Sequence, residues 1–314
     1  MEVEKIEIQK IDGSGYQKKP NLLVKVSEMG NITEIQYMEK RNNKQIIQMI
    51  DKDTYLILAT GELLKCNHIE NRSQGKKSLY RTFANARALI NTNVVDVENV
   101  RWCTLTYKEN MTDTKRLYDD FKKFNLRFQY HLKKNNICQA EYIVMMEPQG
   151  RGAWHCHLLY IWDCKAPFIP NNIFADIWGH GFVKIKKLDN VDNVGAYLTA
   201  YLGDMEIQDA ISNKVLNINS NGNIICDGVK EIEIDGKKKA FIKGARLNLY
   251  PSKFNMIRYS KGIKKPIVDM VSQEMAEKKV KGATMTYSSC LTLFDEKTNF
   301  KNVIIKDYYN SARK

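Results

Sequence analysis

The chain has 314 residues, of which 43% are apolar and 27% charged, and its 49 basic and 36 acidic residues leave a net charge of +13. That length allows one large or two to three small domains with a buried core, and the basic balance points to a polyanionic partner. No stretch approaches the roughly 20 apolar residues of a membrane span, and the charged start Met1-Glu-Val-Glu-Lys5 lacks a signal peptide's apolar segment, so the expectation is a cytoplasmic protein with no membrane partner.

Apolar runs at 22–38 and 54–64 read as strands, and 41–50 is ambiguous. Residues 76–91 place Leu79, Phe83, Ala86, Leu89 and Ile90 at helical spacing. Arg101-Trp-Cys-Thr-Leu-Thr-Tyr107 alternates and is rich in β formers, so it predicts a strand. Thr112 or Asp113 can cap a helix to about Lys134, with Leu117, Phe121, Phe124, Phe128 and Leu132 on one face. Strands at 141–147 and 153–161 are predicted to pair antiparallel across the turn Gln149-Gly-Arg-Gly152. A short helix at 170–177, a strand at 181–187 and a helix at 190–202, ended by Gly203, follow. The order predicts an α+β fold: a central antiparallel sheet of split βαβ type, helices on one face, and flanking α/β segments. Beyond it, 215–242 reads as short strands, 267–280 as helix, and 284–294 and 300–306 as extended. Three segments are expected, at 1–99, 100–206 and 207–314.

The seven cysteines are irregularly spaced and form no C-x-x-C. They predict reduced, mostly buried thiols rather than a disulfide or zinc scaffold. The Walker A pattern is missing too, which argues against an ATP-driven motor in this chain.

Chemistry concentrates in Trp154-His-Cys-His-Leu158. On a strand, His155 and His157 project to one side, while Trp154, Cys156 and Leu158 fill the other. Two adjacent imidazoles make half a metal site. Folding back at the 149–152 turn brings Glu147 beside them. Two histidines and a glutamate with open positions suit a divalent ion that also holds phosphate oxygens. A second constellation lies in Gly195-Ala-Tyr-Leu-Thr-Ala-Tyr-Leu202, where Tyr197 and Tyr201 share one helix face. Ala196, Leu198 and Leu202 can bury the helix and leave the tyrosines to a site. A phenol, with a pKa of about 10, attacks a phosphodiester when a metal polarises the phosphate. The product is a phosphotyrosine that stores the bond for rejoining.

These motifs, in this order, resemble the HUH endonucleases, and in particular the two-tyrosine rolling-circle replication initiators of plasmids and phages. Trp102-Cys-Thr-Leu-Thr-Tyr107 is similar to the family's first motif, Trp154-His-Cys-His-Leu-Leu159 to its metal motif, and Gly195-Ala-Tyr-Leu-Thr-Ala-Tyr201 to its nucleophile motif. Histidines precede tyrosines, as in replication proteins and unlike relaxases. The resemblance covers 100–206, with a looser similarity at 243–251 and 260–266. It implies metal-dependent, strand-specific nicking and rejoining at a replication origin through a 5′-phosphotyrosine. Tyr197 would attack first and Tyr201 second, with Glu147, His155 and His157 holding Mg²⁺ or Mn²⁺. It also implies single-stranded and duplex origin DNA as partners, with helicase and polymerase from the host. Many members carry a lysine three residues after the first tyrosine, where this chain has Ala200. Lys184 and Lys186, on one face of the preceding strand, are the candidates to supply that charge. A two-tyrosine transposase and a non-catalytic nucleic-acid-binding protein are the alternatives.

The charge excess sits in the last third: residues 207–314 hold 20 basic and 11 acidic residues. Residues 237–268 contain ten basic residues and no acidic one. Lys237, Lys238, Lys239, Lys243, Arg246, Lys253, Arg258, Lys261, Lys264 and Lys265 are therefore the expected DNA contacts. The interleaved Phe241, Tyr250, Phe254 and Tyr259 are candidates to stack on bases.

Overall fold

A computed structural model describes residues 7–11, 16–41, 45–68, 75–188, 191, 193–199, 204–206, 229–234, 237–242, 244–295 and 299–313. The chain divides into two compact units, Met1–His68 with Pro266–Lys314, and Ile69–Lys265. They cut across the boundaries expected at 99/100 and 206/207, because the C-terminal strands pair with N-terminal ones and the basic segment packs with the central sheet.

The first unit is built on β1 (Glu7–Ile11), β2 (Val24–Met29), β3 (Ile32–Met38), β15 (Ile267–Val271), β16 (Thr284–Asp295) and β17 (Phe300–Asn310). They form an antiparallel sheet in the order β1-β16-β17-β3-β2-β15. Alternation buries Val24, Val26, Ile35, Tyr37, Val303 and Ile305 in one core with Ala276 and Val280 at α5 (Gln273–Lys279) and its end. Residues 267–280 are thus not one helix. Ile267–Val271 pair with β2, and Ser272 then caps α5 by accepting from the Met275 N–H. A small sheet of β4 (Ile47–Met49), β5 (Thr54–Ile57) and β6 (Leu63–Lys65) completes this unit.

The second unit begins with α1 (Lys76–Asn93), β7 (Val100–Thr106), α2 (Thr114–Lys134), β8 (Glu141–Pro148) and β9 (Trp154–Ile161). It continues through α3 (Asn171–Trp178), β10 (Val183–Lys186), α4 (Val194–Thr199), β11 (Met205–Glu206), β12 (Val229–Ile234), β13 (Lys237–Ile242) and β14 (Ile257–Tyr259). The central antiparallel sheet has the order β10-β7-β9-β8-β14. Asp113 caps α2 by accepting from the Lys115 and Arg116 N–H groups. The β8–β9 connection closes through Gly152 at φ 84°, a left-handed position that favours glycine. Its N–H donates to the Gln149 carbonyl at 2.8 Å.

The expected α+β sheet forms, but helices cover both of its faces rather than one. Cys103, Leu105, Val144, Met146, Cys156, Leu158 and Tyr160 pack against the apolar stripe of α2 and against Phe174 and Trp178 of α3. The alternate residues Ile143, Met145 and Leu159 pack against Leu89, Ile90 and Val94 of α1 and its end and Val194 and Leu198 of α4. The run Ile143-Val-Met-Met146 is apolar on both sides because both sides are covered. The basic segment contributes β14, a fifth strand against β8.

Of the described cysteines, Cys103, Cys156 and Cys290 are buried, Cys66 is half-buried, and Cys138 and Cys164 are exposed. The expectation of mostly buried thiols holds for the strand cysteines alone, where alternation turns the side chain inward. Among the described residues no helix is long and apolar enough to cross a membrane.

Candidate active site

The β8–β9 register sets Glu147 opposite His155 and Met145 opposite His157. The two histidines, two apart, share the sheet face with Glu147. Their ligand atoms lie within 4.8 Å of one another. The two Nε2 atoms are 2.9 Å apart, and each is 3.5 Å from Oε2 of Glu147. Two nitrogens and one carboxylate oxygen, aimed at one point, form a donor set that suits a divalent cation.

The surroundings hold this arrangement. Glu147 is 3% exposed and His157 24% at the side chain, so the site opens to solvent on the His157 side. The Trp102 ring lies parallel to His157, 5.3 Å between centroids and 4° between planes. Thr104 Oγ1 is 3.5 Å from Nδ1 of the same histidine. Nδ1 of His155 is buried with no hydrogen-bond partner among the described residues. Burial, then the neighbouring His157, pushes His155 down to about 4, which leaves its ring neutral near pH 7, the form that ligates metal. Burial pushes the Glu147 carboxyl up, but Arg246 and the two imidazoles more than reverse this and hold it well below the usual carboxylate range.

Arg246 is the group that residue patterns did not place here. It stands in the 3-10 turn Ala245–Leu249, and its Nη1 lies 2.7 Å from Oε2 of Glu147. Expected at a DNA-facing surface, it is 14% exposed at the side chain. Its turn is anchored by Leu247 and Tyr250 in the core. Trp154 stacks on Phe254 at 4.5 Å between centroids.

The helix α4 belongs to the same face, since Val194 and Leu198 share a core with Met145 and Leu159. Gly195 makes its close approach to α1 possible: a Cβ there would lie 2.5 Å from the Arg87 carbonyl and 2.6 Å from Asn91 Oδ1. Asn91 accepts from the Gly195 N–H at 2.8 Å. Tyr197 points away from this packing and is 50% exposed. Tyr201 lies outside the described residues, as do Ala200 and Lys243.

Residues 100–206 match a family model described as replication-associated protein, of the ORF2 type. The matched stretch carries β7–β10, α2–α4 and all three metal-type ligands, and it supports a replication initiator protein. No curated protein and no solved structure matches the chain.

Lys184 and Lys186 are exposed on β10, paired with Thr104 and Trp102 respectively. Cross-strand partners share a face, so both lysines stand on the side of the replication-associated stretch that bears the histidines. Lys237, Lys238 and Lys239 lie on β13, whose lysine side chains are outside the description. Lys253, Lys261, Lys264 and Lys265 are exposed. The Arg258 guanidinium covers the Tyr118 ring at 3.8 Å, a cation–π contact. Phe241, Tyr250 and Phe254 are buried, so base stacking by these three is ruled out, and Tyr259 is the exposed aromatic of the four. The basic run places its charges outward around aromatics that serve the core.

Proposed function

We propose that the chain is a rolling-circle replication initiator that nicks one strand of an origin and later rejoins it. The observation that carries this reading is the convergence of Glu147, His155 and His157 on the face that α4 covers, within a stretch matching a replication-associated family. A divalent ion such as Mg²⁺ or Mn²⁺ held by the three ligands would supply Lewis-acid polarisation of the scissile phosphate. Tyr197 is the first nucleophile: its phenol oxygen attacks phosphorus in line, the bond to the 3′ oxygen breaks, and the 5′ phosphate stays on the tyrosine. The phenol gives up its proton and the departing 3′ oxygen gains one. One phosphodiester replaces another, so rejoining needs no ATP. Lys184 and Lys186 stand beside Thr104 and Trp102 to offset charge on the phosphate. Tyr201 serves the second attack, which releases a closed circle. Single-stranded and duplex origin DNA are the substrates, and the host supplies helicase and polymerase.

The test is a denaturing gel of the protein with labelled single-stranded oligonucleotides from the element that encodes it, with Mn²⁺ or with EDTA. The expected result is a Mn²⁺-dependent covalent protein–DNA band, lost on His157→Ala and diminished at least about a hundredfold on Tyr197→Phe. A band that survives Tyr197→Phe combined with Tyr201→Phe would reject the tyrosine chemistry. Folded, Mn²⁺-loaded protein that makes no band on any origin strand would leave a nucleic-acid-binding protein.

A further inference from the structure

Arg246 enters the site from outside the matched stretch. The oxygen its Nη1 holds at 2.7 Å is Oε2 of Glu147, the same atom that sits 3.5 Å from both histidine nitrogens. The placement is built into the fold. Gly244 at φ 68° opens the turn, its N–H donates to Asp204 at 2.9 Å, and Leu247 and Tyr250 are buried beyond it. The Arg246 Nε is buried with no hydrogen-bond partner among the described residues, so one donor of the fork is left unmatched where it now rests.

Charge decides what this means. Without metal, the carboxylate and the guanidinium neutralise each other in a buried pair. A divalent cation needs the oxygen that the arginine holds, and repels the arginine besides. A DNA phosphate brings the negative charge that the displaced guanidinium then lacks, and it matches the planar fork of donors.

We propose that Arg246 is the counterion of the metal-free site: metal entry displaces its guanidinium from Glu147, and the freed fork then takes an oxygen of the bound DNA phosphate. This rests on the metal reading of Glu147, His155 and His157. Arg246 thereby couples metal loading to DNA, weakening the first in the absence of the second.

Titration calorimetry with Mn²⁺ alone, on the full chain without DNA, tests it. Arg246→Gln keeps a hydrogen-bond donor and removes the charge, and is expected to bind Mn²⁺ about tenfold more tightly. Arg246→Lys keeps the charge and is expected to stay near the wild-type affinity. If the glutamine variant is too unstable to titrate, the rise of its melting midpoint on adding Mn²⁺ makes the same comparison, and it should exceed the wild-type rise. At saturating Mn²⁺, Arg246→Gln is expected to cut single-stranded oligonucleotides of the origin region at least about tenfold more slowly. Equal or weaker Mn²⁺ binding by Arg246→Gln overturns the displacement. Wild-type cutting at saturating Mn²⁺ overturns the transfer to phosphate. Wild-type protein that binds no Mn²⁺, or binding that His157→Ala leaves intact, rejects the metal reading itself and is distinguishable from both.

Discussion

The plane of the His157 ring is fixed by Trp102, which lies parallel to it at 5.3 Å, and by Thr104 near its Nδ1. A ligand so exposed would otherwise lose orientation through free rotation of its ring. Groups that orient a metal ligand typically cost about 10–100-fold in affinity when removed. Trp102→Leu keeps an apolar side chain and removes the stack, and it is expected to weaken Mn²⁺ binding about tenfold in calorimetry. An unchanged affinity would mean that the strand alone orients the ring. The two histidines were legible in the sequence because a period of two puts both on one side of a strand. Glu147 was legible because the Gly152 turn is short. Arg246 was not: it lies 99 positions beyond Glu147 in the chain, and among ten basic residues nothing local marks the one that turns inward.

At the scale of elements, α4 depends on its fit against α1. Gly195→Ala would drive a methyl into the Arg87 carbonyl and the Asn91 side chain, at a cost of about 1–3 kcal/mol for overpacking. The expected outcome is a melting midpoint lower by about 5 °C and loss of the covalent DNA band, while Mn²⁺ affinity stays within about twofold, since the three ligands sit on β8 and β9. A Mn²⁺ affinity that falls together with the band would show that α4 also supports the ligands. Helices with strong stripes, such as α2, and strands with clear alternation, such as β7 and β9, were readable because their own residues carry the period. The strand Ile267–Val271 was not, since its extended form comes from pairing with β2, far earlier in the chain.

At the scale of the molecule, β17 lies inside the first unit's sheet, between β16 and β3. Deleting residues 300–313 would strip both neighbours of a partner and remove Val303 and Ile305 from the core. Limited proteolysis of the truncated chain should then cut rapidly within residues 16–68. Mn²⁺ binding, which depends on the second unit, should persist. Slow cleavage in 16–68 would mean that β3 and β16 re-pair.

By itself the sequence determined the central sheet of the second unit, the face its histidines share, and the glutamate that joins them, because these follow from periodicities and a short turn. Tertiary structure alone decided the rest: that helices cover both faces, that Phe241, Tyr250 and Phe254 belong to the core, that the C-terminal strands complete an N-terminal sheet, and that Arg246 neutralises Glu147. The physical reason is the same in each case. Local pattern states which side chains prefer burial, whereas the partner that buries or pairs them is set by contacts between distant segments.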